Sequence, residues 1–134
     1  MLSPKRTKFR KYQKGNIGKV KSNMTTLNFG KYGLKSLQPG RITAKTIEAV
    51  RRAITRKFKK SGKIWIKIFP DIPVTQKPLE VRMGKGKGNP SFWICRIQAG
   101  QILFEMDGIS LQLAKQAANL AAHKLPIKTE LVFN

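Results

Sequence analysis

The sequence predicts an α+β fold: a two-layer sandwich of two helices on a mostly antiparallel sheet, carrying a basic N-terminal extension and a basic glycine-rich loop. Three observations predict it. Two segments space apolar residues at intervals of three and four, as one face of a helix requires. Several short segments alternate, or are rich in β-branched and aromatic residues, as strands are. Glycine and proline punctuate the joins between them.

The elements follow in chain order. Residues 1–24 carry Lys5, Arg6, Lys8, Arg10, Lys11, Lys14, Lys19 and Lys21 and no acid. Pro4, Gly15 and Gly18 interrupt any helix, so this segment reads as an extended arm that orders on a polyanion. Residues 25–134 read as a single domain. Residues 27–37 predict a strand or hairpin around Gly30 and Gly33, and Pro39-Gly40 marks a turn. Thr43 is an N-cap for a helix through Lys60, closed by Gly62. Ile47, Val50, Ile54 and Phe58 share one face of that helix; Lys45, Arg52, Arg56, Lys59 and Lys60 share the opposite one, interrupted only by Glu48. A merely soluble face would mix both signs, so these five cations are assigned to RNA phosphates.

"KIWIKIF" (63–69) alternates as a half-buried strand does. Pro70, Pro73 and Pro78 confine any following strand to an edge. "PLEVRM" (78–83) predicts a short strand leading into the loop, and "FWICRIQ" with "QILFEMDG" predicts a hairpin turning at Ala99-Gly100. Ser110 opens a second helix to about Leu125, ended by Pro126. Its wide apolar arc (Leu111, Leu113, Ala114, Ala117, Ala118, Leu120, Ala121 and Ala122) predicts burial against the sheet. "IKTELVF" supplies the final strand.

A chain of 134 residues with 40% apolar content suffices for one cored domain. Charge is the outlier: 28 Lys and Arg against six acids give a net +22. Self-repulsion on that scale opposes compaction, and a nucleic acid would relieve it. A basic membrane-surface role fits less well, because the aliphatic stripe of the first helix suits packing on the sheet and no lipidation signal occurs. No apolar run approaches the roughly 20 residues of a membrane span. The lone Cys95 excludes an intrachain disulfide and a cysteine-rich zinc site.

Groups able to perform chemistry are few. His123 lies on the polar edge of a helix, and Cys95 alternates with Trp93 and Ile97 as a small core residue of a strand. Glu105 and Asp107, two apart on one strand, are expected to balance nearby cations rather than to hold Mg²⁺. No catalytic residues, metal ligands or cofactor are expected, and no homo-oligomer.

The stretch "RMGKGKGNP" (82–90) needs a separate decision. A Walker loop requires GxxxxGK followed by Ser or Thr, and then a helix. Here Gly86-Lys87 runs into Gly88, Gly84-Lys85 runs into Gly86, and the strand-like "PSFWICRI" follows. The dinucleotide pattern fails for the same lack of a helix. What the stretch offers is close backbone approach and positive φ at its glycines, with lysines as point charges for phosphates and Arg82 as a planar fork.

Four stretches carry a resemblance: "MLSPKRTKFRKYQKG", "KIWIKIFPDIPVTQKPLEVRMGKGKGNPSFW", "LFEMDG" and "LAAHKLPIKTELV". Together, and in order over nearly the whole chain, they resemble the L-sixteen family of large-subunit ribosomal proteins of bacteria and organelles. Ile72 stands where a basic residue is common in the family, a change expected at the surface. The resemblance implies a non-enzymatic ribosomal constituent bound to large-subunit (23S-type) rRNA, beside neighbouring ribosomal proteins. It implies rRNA contacts from Lys5, Arg6, Lys8, Arg10, Lys11 and Lys14 of the arm and from the helix cations. It further implies a loop of Arg82, Met83, Gly84, Lys85, Gly86, Lys87 and Gly88 directed at A- and P-site tRNA. The opening residues resemble chloroplast members, which implies the chloroplast stroma; a bacterial cytoplasm is the alternative. Composition alone would equally fit a free-standing, non-specific RNA-binding protein or RNA chaperone.

Overall fold

The structure, a computed structural model, describes residues 1–59 and 61–133. The order is β1 (Tyr32–Ser36), β2 (Gly40–Thr43), α1 (Ala44–Phe58), β3 (Lys63–Ile66), β4 (Ile72–Gln76), β5 (Asn89–Ile97), β6 (Ile102–Asp107), α2 (Leu111–Ala122) and β7 (Thr129–Phe133). The fold is α+β, two helices on antiparallel sheets, as the patterning predicts. Residues 1–31 contain only a short 3₁₀ turn, Ser22–Met24.

The β structure is two sheets rather than one. β3, β6, β1 and β7 form a four-stranded sheet in that order, and β2, β5 and β4 form a three-stranded one. The predicted hairpin of β5 and β6 is therefore absent. The turn at Ala99-Gly100 passes the chain from one sheet to the other. Ser36 holds it there: its N–H donates to Gln101 O at 2.9 Å and its C=O accepts from Gly100 N at 2.7 Å. These bonds satisfy backbone groups that a β5–β6 ladder would otherwise have paired. Gly100, at φ +91°, supplies the left-handed conformation this turn needs.

Both helices start where their caps predict. The hydroxyls of Thr43 and Ser110 accept from Thr46 N and Leu113 N. The first helix ends earlier than its pattern suggests: Lys59, at φ +48°, is the left-handed cap and not Gly62. Gly62 serves close approach instead, since a Cβ there would stand 2.6 Å from Ile109 Cγ2 and 3.0 Å from Asp107 O. Ile47, Val50, Ile54 and Phe58 are buried, as their spacing demands. α2 departs from expectation. Ala114, Ala117, Ala118 and Ala121 form its buried face and pack chiefly on α1, and to a lesser extent on β7, while Leu111 and Leu120 are exposed.

The proline-rich stretch forms β4, an edge strand that accommodates Pro73 as an edge must. Residues 78–83 form no strand; the N–H of Val81 turns back to Pro78 O at 3.2 Å. Ile72 is buried, contrary to the expected surface position: it lies opposite Ile94 of β5, and arm residues 4–12 line the same cleft over it. Phe58, Phe104, Leu34, Ile42, Ile97, Leu103 and Met106 join both sheets and α1 in one core.

Candidate nucleic-acid interface

Every predicted arm cation is exposed: Lys5, Arg6, Lys8, Arg10, Lys11 and Lys14. The arm nonetheless lies along the domain, and the polarity of its hydrogen bonds explains both facts. Arg41 Nη2 donates to Gly15 O at 2.8 Å, and Arg96 Nη2 to Gln13 O at 3.1 Å. The arm thus supplies backbone carbonyls and the body supplies cations, which leaves most of the arm's own cations turned outward. Leu2 adds an apolar anchor against the core.

The glycine-rich loop joins this arrangement. Lys87 Nζ donates to Tyr12 O at 2.8 Å, and Lys11 Nζ donates to Lys87 O at 2.8 Å. Two cations, 76 positions apart, thereby strap arm and loop together. Gly84, Lys85 and Gly86 follow with φ of +94°, +55° and +89°, a left-handed run that only glycine adopts freely. Lys77 Nζ donates to Gly84 O, bracing that run from the end of β4. Gly88 is fixed by space: a Cβ there would lie 2.6 Å from Gln76 O. Arg82, Met83, Lys85 and Lys87 are all exposed, Met83 almost completely.

On α1, Lys45, Arg52, Arg56 and Lys59 are exposed on the face opposite the core; Lys60 lies outside the described residues. Glu48 reshapes this face more than the pattern suggests. It accepts from Arg51 at 2.7 and 2.9 Å and from Arg52 Nε at 2.9 Å. Hydrogen bonds from Arg51 and then Arg52 hold its carboxyl down at about 2. Arg52 therefore reaches any phosphate already shared with a carboxylate, while Lys45, Arg56 and Lys59 are unshared among the described residues. Lys45 lines a cleft with Met1, Leu2 and Ser3, so arm and helix face meet at the start of α1. Lys59 stands about 20 Å away along the helix axis, at 1.5 Å per residue.

The residues considered for chemistry are dispersed. Cys95 is buried, and burial, then the nearby Asp71 charge, push its thiol up to about 11, which leaves it protonated and inert. His123 is exposed at the end of α2. Glu105 and Asp107 do not share a task. Asp107 faces Lys63 across the β3–β6 ladder, whereas Glu105 is fully buried. Glu105 accepts from the N–H groups of Asn28, Phe29 and Gly30 and pairs with Lys67 Nζ at 3.1 Å. Among the described residues no cluster of three or more His, Cys, Asp or Glu could hold a metal. No described helix is long and apolar enough to cross a membrane.

Residues 4–132 match the family described as Ribosomal protein L16p/L10e. The chain belongs to that family. It is 59% identical over 132 residues to "Large ribosomal subunit protein uL16" of Maricaulis maris, covering 98% of this chain and 96% of that protein. It is 62% identical to "Large ribosomal subunit protein uL16m" of Prototheca wickerhamii, covering 98% of both chains. The corresponding protein of Rhodopseudomonas palustris is 57% identical over the same length. An L16p/L10e protein is a structural constituent of the large ribosomal subunit and not an enzyme.

Proposed function

We propose that this L16p/L10e protein binds large-subunit rRNA through its arm and through the cationic face of α1, and that its loop helps position A-site and P-site tRNA. The observation that carries the reading is the polarity of the arm's attachment. Carbonyls of Gln13 and Gly15 hold the body, so Lys5, Arg6, Lys8, Arg10 and Lys14 are free for phosphates. Phosphate binding of that kind brings affinity and register with little base readout. In the loop, Lys85 is the cation best placed for tRNA, because Lys87 is partly engaged by Tyr12. The left-handed run around Lys85, braced by Lys77 at Gly84 O, has open space on its side-chain side, since a Cβ on Gly84 or Gly86 would meet nothing within 4 Å.

Replacing Lys85 and Lys87 by Ala tests the division of labour. Ribosomes carrying the double variant are expected to assemble normally and to bind A-site tRNA several-fold more weakly. Equal loss of assembly would make the loop an rRNA anchor instead.

The compartment belongs to the same proposal. The opening residues favour the chloroplast stroma; a bacterial cytoplasm is the alternative, with 59% identity to the Maricaulis maris protein, and the 62% identity to uL16m adds a mitochondrial ribosome. Immunodetection in fractions of the source cell distinguishes them: a plastid or mitochondrial signal names the organelle, and a source cell without either names the bacterial cytoplasm.

A further inference from the structure

Beneath the arm, a cleft of about 400 Å³ opens between residues 4–12 and the start of β4. Phe9, Tyr12 and Phe69 line it, and each leaves about half or more of its surface exposed. Arg6, Lys8 and Arg96 line it too, with Lys8 Nζ 5.7 Å from the centre of the Phe9 ring. The unexpected member is Asp71. The chain has only six acids, and Glu48 and Glu105 are occupied by ion pairs. Asp71 makes no ion pair among the described residues, although three cations share its cleft. Glu80, Asp107 and Glu130 make none either among the described residues; what distinguishes Asp71 is its place in a cleft lined by exposed aromatic rings as well as cations. Arg96 has the opposite surplus: its Nη2 is taken by Gln13 O, and its Nε is buried with no acceptor.

We propose that this cleft receives one unstacked guanine of a bound RNA, with Asp71 accepting from its Watson–Crick edge. Splayed bases stack on exposed aromatic rings, and flanking cations hold the adjoining phosphates. Among the four RNA bases only guanine presents two adjacent donors, N1–H and N2–H, on that edge. A carboxylate accepts two such donors side by side. The proposal rests on the RNA-binding reading above and adds to it a point of base selectivity, which phosphate binding lacks.

The test uses the full chain and uridine-rich oligonucleotides carrying one central guanine, inosine or adenine. Inosine keeps N1–H and lacks the N2 amine. Guanine is expected to bind about tenfold tighter than either, the discrimination of one bidentate pair. Asp71→Ala, at an exposed position, abolishes that preference by weakening guanine alone. Equal binding of the three by the unaltered chain overturns the site and leaves general RNA binding standing. So does a uniform gain for all three with Asp71→Ala, which marks a merely repelling charge. Binding of none overturns both readings. Kethoxal, which reacts with the N1 and N2 positions of unpaired guanine, then identifies the source on assembled subunits loaded with tRNA. A guanine that becomes reactive with Asp71→Ala in rRNA, or in tRNA, names the donor strand. No change in either overturns occupancy in the ribosome.

Discussion

Glu105 receives three backbone N–H groups from residues 28–30 and the Lys67 ammonium, in a position sealed from solvent. Lys67 also lies 4.6 Å from the centre of the Phe29 ring, and Phe29 stacks on Trp65 at 6.1 Å. The cluster therefore fastens the chain where the arm meets β1. Burial alone would raise the Glu105 carboxyl, but the N–H groups of Phe29 and Gly30, the Lys67 ammonium and the Asn28 N–H outweigh it and hold the carboxyl below the ordinary range. A depressed carboxylate stabilises the fold above its unfolded pKa of about 4.3 and loses that contribution as pH falls through the folded value. Urea midpoints should hold steady above about pH 5 and fall steeply below pH 4; a flat profile down to pH 3 would remove Glu105 and Glu48 as acid-sensitive anchors. Glu105→Ala should cost about 3–5 kcal/mol, measured by the same unfolding, by leaving the N–H groups of residues 28–30 without their acceptor and the half-buried Lys67 unpaired. Gly30→Ala should cost about 1–3 kcal/mol, because a Cβ there would stand 2.5 Å from Met106 O and backbone cannot give way as a side chain can. None of this is legible in the residues themselves. By sequence Glu105 is one of two strand carboxylates, and its backbone donors lie 75 to 77 positions away.

At the scale of elements, local signals are the legible ones. Thr43 and Ser110 announce their helices by type and by the apolar spacing that follows, and both cap as expected. Thr43→Ala and Ser110→Ala should each cost about 1 kcal/mol in thermal unfolding, with the effect confined to stability. Partnering is less legible, because it is decided by distant segments. β5 and β6 have the composition of a hairpin and a good turn between them, yet Ser36 claims the turn and each strand joins a different sheet. Residues 78–83 alternate in composition but run beyond the end of β4, where no strand pairs with them. Leu111 and Leu120 extend an apolar arc that packing uses only at its alanines. The arm's cations and the loop's glycines are visible from composition, whereas the Lys11–Lys87 strap is not. Removing residues 1–14 should leave the domain folded and lower the salt dependence of RNA binding. The slope of log K against log salt should shrink by about 0.7–0.9 for each phosphate that the arm no longer neutralises. An unchanged slope would mean the arm holds no phosphates.

Across the whole molecule, a net charge of +22 on 134 residues makes the free chain electrostatically incomplete. The charge is also apportioned. Body cations Arg41 and Arg96 hold the arm, Glu48 quiets part of α1, and the arm and loop keep their cations exposed. That apportioning is what membership in a ribosomal family leads one to expect of a protein placed among RNA strands. It also predicts that the arm and the loop, strapped side by side, meet different RNAs. Ultraviolet crosslinking of tRNA-loaded large subunits, followed by identification of the RNA attached to each peptide, tests this most directly. Peptides from residues 5–14 should carry rRNA, and peptides from residues 82–88 should carry tRNA. Loop peptides attached only to rRNA, or to no RNA, would contradict the account.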